Sequence, residues 1–535
     1  VSPNGKRLAF SVDHPEGKTL LWYRDLDAAT AVPIPGTDEA TFPFWSPDSR
    51  SIGFFARGRL KVVEASGSAP APRALADVGV ARGGSWSADG TILFCPSLRH
   101  HLMRVPAAGG NAVAVTRLEE GEIDHSWPWF LPDGRRFLFR IRYFQTDRNA
   151  LFLASLDSKE RRLVLQIDSD VAYSSGHLVF RRGDRLMAAP FDPAKGRIEG
   201  EPVELAQGVE YNPSSAKTVF SVSENLLAYA GRSGLRLSRL VWFDRTGREL
   251  GDVGPPAIYI SPTLSRDGRK VAVSLAEDVA MPPDVWIYDA ALRSGTRLTR
   301  GRLAELIPVF SPDGRRIVFA SNQKGRWDLH EISIAAAGGE ERVLLESEDS
   351  KWPTSLSPDG SFLLFREFDR ETLGDLRVLP LSGEPRPRDF VATRYNEEQG
   401  VFSPDGRWVA YTSDESGRME IYVASFSEPG RRYRVSSGGG AYPRWSHDGR
   451  ELFYLVAGKT MTAVSVRPEG AELTFGSPQP LFKVPVQMLV DTLFGPSKYD
   501  VGADGRFLIA VRASDEPQPP LALVLNWAEA LKPRP

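Results

Sequence analysis

The chain is poor in the residues that build covalent or metal frameworks. One cysteine, Cys95, stands among 535 residues, which rules out an internal disulfide framework and a cysteine-rich metal site. Its place in Ile92-Leu93-Phe94-Cys95 predicts a buried core thiol. Seven histidines are present, and His100-His101 has no metal-ligating neighbour in sequence. No apolar run approaches the ~20 residues of a membrane span, so these residues predict no direct membrane insertion, and the segment after Val1 lacks a secretory-signal pattern. Charge of one sign is also missing: 66 basic against 68 acidic residues leave a net charge of −2, no footprint for nucleic acid or an anionic membrane.

Glycine and proline, by contrast, are plentiful, at 48 and 41. Some of both fall in a turn that recurs twelve times, Ser-Pro-Asp-Gly or a worn version of it, each followed by an apolar run. Ser311-Pro312-Asp313-Gly314 leads into Ile317-Val318-Phe319, and Ser357-Pro358-Asp359-Gly360 into Phe362-Leu363-Leu364-Phe365. Asp267, Asp313, Asp359 and Asp405 are spaced 46 apart. Proline presets the first corner, Asp folds onto a nearby backbone N–H, and Gly supplies a positive φ. The run then pairs back as a hairpin.

A 40–50-residue period with four strand-like segments per unit reads as propeller blades. In the unit near Glu305 the strands are 306–310, 316–320, 329–333 and 342–345, with Gly338-Gly339 between the last two. The second strand is apolar on both faces, as a blade sandwiched between neighbours requires. The predicted fold class is therefore all-β: tandem β-propellers, two six-bladed rings of four-stranded blades. Six and six divides the chain into 1–252 and 253–535, with Gly254-Pro255-Pro256 as a short joint; seven and five is the other division. The last blade shows strands at 499–501, 507–509 and 521–525 and lacks a fourth, which Glu249-Leu250-Gly251-Asp252-Val253 is expected to supply. The first blade opens at Ser2-Pro3-Asn4-Gly5 without a full first strand, which reads as a piece of a longer polypeptide.

The repeats resemble those of TolB-like six-bladed propellers, above all Phe402-Ser403-Pro404-Asp405-Gly406-Arg407-Trp408-Val409-Ala410-Tyr411 followed by Glu420-Ile421-Tyr422-Val423. More narrowly the chain is similar to the C-terminal propeller region of bacterial serine/threonine protein kinases. That likeness rests on Thr41-Phe42-Pro43-Phe44-Trp45-Ser46-Pro47-Asp48, Arg104-Val105-Pro106-Ala107-Ala108-Gly109-Gly110 and the ending Leu523-Val524-Leu525-Asn526-Trp527. The resemblance implies an upstream kinase domain in cis and an extracytoplasmic or periplasmic place for this portion, as a sensor or scaffold.

No catalytic residues are expected. The kinase Gly-rich loop, His-Arg-Asp and Asp-Phe-Gly are missing. Propellers of this kind also accompany prolyl-oligopeptidase-type peptidases, but no serine has glycine at both −2 and +2, and His-Glu-x-x-His does not occur. No cofactor or metal is implied. What remains is recognition of a protein, peptide or glycan by loops entering the first strands of the blades. The candidate residues are Asp124, His125, Trp352, Asn396, Glu397, Glu398, Tyr442 and Arg444. Each has a plainer reading: a structural Asp124-His125 hydrogen bond, solvated loop charge at Glu397-Glu398 in place of a central cation site shared with Asn396, blade packing at Trp127, Trp129 and Trp445, and a salt bridge from Arg444 to a neighbouring loop. A stand-alone periplasmic docking protein and a propeller enzyme, a lyase or glycan hydrolase, are the alternative readings.

Overall fold

The computed structural model describes residues 1–535 except 14–18, 68–69, 80, 98–99, 144–147, 213–214, 232–236, 278–280, 302, 335–340, 369–373, 428–429, 457–459, 485–496, 514–519 and 532–535. Gly338-Gly339 lies outside the described residues.

The repeated turn forms a compact hydrogen-bonded unit. At Ser311–Arg316 the Gly314 N–H reaches the Ser311 carbonyl at 2.8 Å, and the Arg315 N–H reaches the Asp313 carboxylate at 3.1 Å. Gly314 has φ +66°. The serine does more than fill a corner: Ser311 Oγ donates to Asp313 and accepts the Arg316 N–H at 2.9 Å. These bonds favour the ionised form, so the Asp48, Asp267, Asp313, Asp359 and Asp448 carboxyls all lie below the usual range, the serine hydroxyl being the largest cause.

The strand after each turn is the second of its blade and is sandwiched. In Arg316–Ser321, Ile317 and Phe319 join the core shared with the preceding blade, while Val318 joins the core shared with the following one. Alternate residues thus serve opposite neighbours, which explains why the run is apolar throughout.

Two compact units result, each with six blades: Val1–Ser233 with Pro517–Pro535, and Gly234–Glu516. Both differ from a division into 1–252 and 253–535. In unit 2 the last blade pairs Tyr499–Val501, Phe507–Arg512, Ser238–Phe243 and then Glu249–Val253. Glu249–Val253 therefore occupies the expected fourth place, but Ser238–Phe243 takes the third. The chain then runs on as one strand, Glu249–Leu264, into the inner position of blade one, where Ile258 pairs with Ala276 and Leu264 with Val271. Gly254-Pro255-Pro256 lies inside this strand and is not a joint between rings. Gly254 has φ +78°, and a Cβ there would come within 2.6 Å of the Tyr288 ring.

Leu521–Leu525, expected in the last blade of the second ring, instead pairs with Leu226–Ala230 in blade six of unit 1. Unit 2 is thus inserted, in sequence, between the second and third strands of that blade. Closing a ring with strands from both ends of its chain removes exposed sheet edges. Cys95 is fully buried beside Leu93 and Phe137, as expected, and burial holds its thiol far above the usual range.

Candidate functional site

The inner strands, which line a propeller's channel, share a local feature. Phe42, Trp127, Ser261, Ile307, Gln399 and Tyr442 have φ between 48° and 61°. The pairing register shifts at each of these places. These are bulges, where one residue leaves the ladder and re-aims its neighbours. The next residue is Pro43, Pro128, Pro262, Pro308, Gly400 or Pro443. Proline suits the place because it has no N–H to give the ladder. Proline three residues before the turn serine is the sequence signal for the bulge, and reading the turns alone misses it.

In unit 2 three of the candidates come together. Glu398 is buried, with Oε1 2.9 Å from Arg366 Nη2. The Arg366 guanidinium lies over the Trp352 ring, 5.3 Å from its centroid. Asn396 is turned toward Glu398, is 1% exposed, and neither of its amide atoms makes a hydrogen bond of full geometry. Its backbone N–H donates to Asp414 at 2.9 Å. Burial pushes Glu398 up to about 7 against the pull of Arg366, and burial also raises Asp414.

Glu397 points the other way, as strand alternation requires. It accepts from Thr393 Oγ1 at 2.6 Å, and burial raises it to about 7. The adjacent glutamates are therefore not solvated loop charge: both begin the strand Glu397–Phe402 and are buried. Among the described residues no group of three or more His, Cys, Asp or Glu side chains is placed to hold a metal.

Tyr442 and Arg444 lie on the next inner strand. Gln399 Oε1 links it to the first cluster by accepting the Tyr442 N–H at 2.7 Å and the Thr412 hydroxyl at 2.9 Å. The Tyr442 carbonyl accepts from Tyr499 Oη at 2.7 Å. Arg444 Nε is 3.2 Å from Asp500, whose other oxygen accepts the Leu264 N–H at 2.8 Å. Arg444 is thus engaged in a salt bridge to the neighbouring blade.

Glu305 is a buried acid that sequence reading missed. Burial raises it to about 7 and leaves its Oε2 without a hydrogen bond. Glu305, Lys351 and Glu397 open three successive inner strands at the 46-residue spacing, so the repeat itself was the available signal. Lys351 is buried too, donates to the Asp349 carbonyl, and is held below the usual lysine range by burial.

In unit 1, Asp124 and His125 do not bond to each other. His125 Nδ1 lies 2.7 Å from Thr116 Oγ1 and Nε2 lies 3.0 Å from Glu122. Glu122 is bracketed by Arg161, at 2.6 Å, and Tyr143 Oη, at 3.3 Å. Burial would raise Glu122, but His125 and Arg161 hold it down at about 2. Both His125 nitrogens are therefore occupied within the fold. Asp124 is buried, with Oδ2 3.7 Å from Arg142 and Oδ1 without a hydrogen bond. Glu122→Ala leaves buried His125 without its carboxylate partner and leaves Arg161 with Glu119 alone; it is expected to cost about 3–5 kcal/mol, read as a shift in the denaturant midpoint of unit 1. Trp127 packs on Phe42 and donates to the Ser215 carbonyl at 2.8 Å; Trp129 and Trp445 pack against interblade cores.

No family model matches the chain. In part of its length, the chain is similar to TolB. It is 26% identical to the Tol-Pal system protein TolB of Helicobacter pylori strain J99 over 184 residues, 33% of this chain and 43% of that protein. The chain thus spans less than half the length of the curated relatives it matches. Among solved structures, TolB from Acinetobacter baumannii is 14% identical with a TM-score of 0.32, covering 68% of this chain and 83% of that one. Oligogalacturonate lyase from Vibrio parahaemolyticus is 14% identical with a TM-score of 0.35, covering 55% and 83%. The fold is that of tandem β-propellers, and the likeness to TolB covers about a third of the chain. No described helix is long and apolar enough to cross a membrane.

Proposed function

We propose that the chain is a non-catalytic recognition module that binds a protein, peptide or glycan ligand at the channel mouth of unit 2, on Trp352, Arg366, Asn396 and Glu398. The observation that carries this reading is Asn396, a buried amide with no full hydrogen bond beside a buried ion pair. Leaving such a group unmet costs about 1–3 kcal/mol, and a polar ligand group offsets that cost. The arrangement offers no nucleophile with an adjacent base. A carboxyl near neutral pH, an arginine face and an indole suit hydrogen bonding and stacking. We further place this module outside the membrane as the sensor region of a bacterial serine/threonine kinase, a reading that rests on the sequence stretches described above.

Peptide and glycan arrays, followed by titration of each hit, test the binding half. Trp352→Ala and Glu398→Gln are expected to weaken binding at least tenfold. His447→Ala, on the exposed turn at the opposite end of its blade, is expected to leave it unchanged. Hits that bind both channel-mouth variants as tightly as the parent would overturn the site. The gene's full reading frame tests the other half: a kinase domain and an apolar span ahead of Val1 support it, and a signal peptide alone favours a stand-alone docking protein.

A further inference from the structure

Three buried polar atoms of unit 1 without a hydrogen bond share one face of one hairpin in blade four: Asp124 Oδ1, Ser126 Oγ and Arg140 Nε. Their residues are 2%, 1% and 3% exposed. Buried polar groups are normally met, so a cluster of unmet ones calls for a partner. In the ladder between Glu122–Phe130 and Arg136–Tyr143, Ser126 lies opposite Arg140 and Asp124 opposite Arg142. Side chains directly opposite, or two apart on a strand, share a face. That face looks toward blade five, because Leu138 on it joins a core with Leu178 and Phe180. On the other face Phe137, Phe139 and Ile141 join Leu93 of blade three. The polar cluster therefore caps an apolar seam.

Its rim is open to solvent. The Arg142 and Asp168 side chains are 35% and 62% exposed. Asp168 lies on the loop entering blade five, where its Oδ1 accepts from Arg140 Nη2 at 2.8 Å and its carbonyl accepts from Tyr211 Oη at 2.6 Å. An exposed carboxylate thus closes over a buried guanidinium. The place matches the one that holds Asn396 and Glu398 in unit 2. Asp124 and Ser126 stand three and one residues before the bulge at Trp127, as Asn396 and Glu398 stand before the bulge at Gln399. Arg140 opposes Ser126 as Thr412 opposes Glu398. The chemistry differs, because unit 1 sets one acid among two arginines.

We propose that this cluster is a second ligand site, in unit 1, for a free α-amino acid. Arg140 Nε and the Ser126 hydroxyl donate to the α-carboxylate, and Asp124 Oδ1 accepts from the α-ammonium. Arginine–carboxylate pairs are strong, charge-assisted hydrogen bonds. An anion alone would be placed beside the buried Asp124 carboxylate and leave it unmet, and a cation alone would do the same to Arg140. A ligand carrying both charges a short distance apart answers both ends. Its carboxylate takes the place of Asp168 on Arg140, and Asp168 turns out to solvent.

The test titrates the full chain with the twenty free L-amino acids, singly, up to about 10 mM. Each one that binds is compared with its N-acetyl and its carboxamide derivative. At least one amino acid is expected to bind, and each derivative is expected to bind at least tenfold more weakly. Ser126→Ala removes one unmet hydroxyl; it is expected to weaken binding at least tenfold without lowering the unfolding midpoint. Asp168→Ala removes the exposed competitor for Arg140 and is expected to tighten binding at least threefold. Four results would overturn the proposal: no binding by any of the twenty, binding that tolerates acetylation or amidation, binding by Ser126→Ala as tight as the parent's, or no tightening in Asp168→Ala. An amino acid lost in Trp352→Ala but kept in Ser126→Ala belongs to unit 2 and counts against it as well.

Discussion

Trp527→Ala is expected to destabilise unit 1 by about 3–5 kcal/mol and to leave the unfolding of unit 2 unchanged. Trp527 is 1% exposed and sits in the core between blades five and six with Ala172, Val179 and Leu227. Its indole N–H donates to the Ser223 carbonyl at 2.9 Å, 304 residues away in sequence. The Asn526 N–H adds a 2.7 Å bond to the Asn225 carbonyl, and Leu521–Leu525 supplies the third strand of blade six. Alanine removes both the packing and the bond that fix this returning strand. Denaturant unfolding, with exchange on Leu226–Ala230 as the local probe, checks the result. A loss shared equally by both units, or one below about 1 kcal/mol, would contradict the strand assignment.

The second large effect is a pH dependence of unit 2. Burial raises Glu305, Glu397 and Glu398 from 4.5 to about 7. The folded state therefore binds these protons more tightly than the unfolded chain. Their contribution is complete below about pH 4.5 and is lost as pH rises through about 7. One pKa unit is about 1.4 kcal/mol, so each group removes on the order of 2–3 kcal/mol between pH 5 and 8. The turn aspartates, whose pKa values are lowered, act in the opposite sense and only as pH falls below the usual carboxylate range. Urea unfolding of unit 2 at pH 5, 6.5 and 8 is expected to show falling stability, and Glu398→Gln is expected to flatten the slope by about a third. Rising stability across that range would contradict the burial of these carboxyls. Glu398 charges in the same window, so ligand binding at the channel mouth should change there as well.

The turn chemistry was legible in residues: Ser-Pro-Asp-Gly dictates a local hydrogen-bonded unit, and turns of this kind or worn versions of it open the second strand of most of the twelve blades, Ser175-Gly176 being a plain two-residue hairpin turn. Ring closure was not legible. Ser238–Phe243 and Leu521–Leu525 are both apolar strand formers, and nothing local says which blade each completes. That choice is made by closure across hundreds of residues. The reading of Glu397-Glu398 as solvated loop charge treated polarity as exposure. The pair opens an inner strand, where the 46-residue register also buries Glu305 and Lys351. Arg366, the partner of Glu398, sits at the far end of the previous blade's second strand, a contact that pattern alone does not reveal. Trp352 and Arg444 were legible as residues but not as partners, because their neighbours Arg366 and Asp500 come from other strands.

The most direct test of the account is to compare two excised segments, 234–516 and 253–535, by thermal unfolding. The first holds every strand of unit 2, including Ser238–Phe243 and Glu249–Val253. The second lacks the third strand of the last blade and most of the fourth. The account predicts one cooperative transition for 234–516 and no cooperative fold for 253–535. A cooperative transition for 253–535, with 234–516 less stable or unfolded, would contradict it.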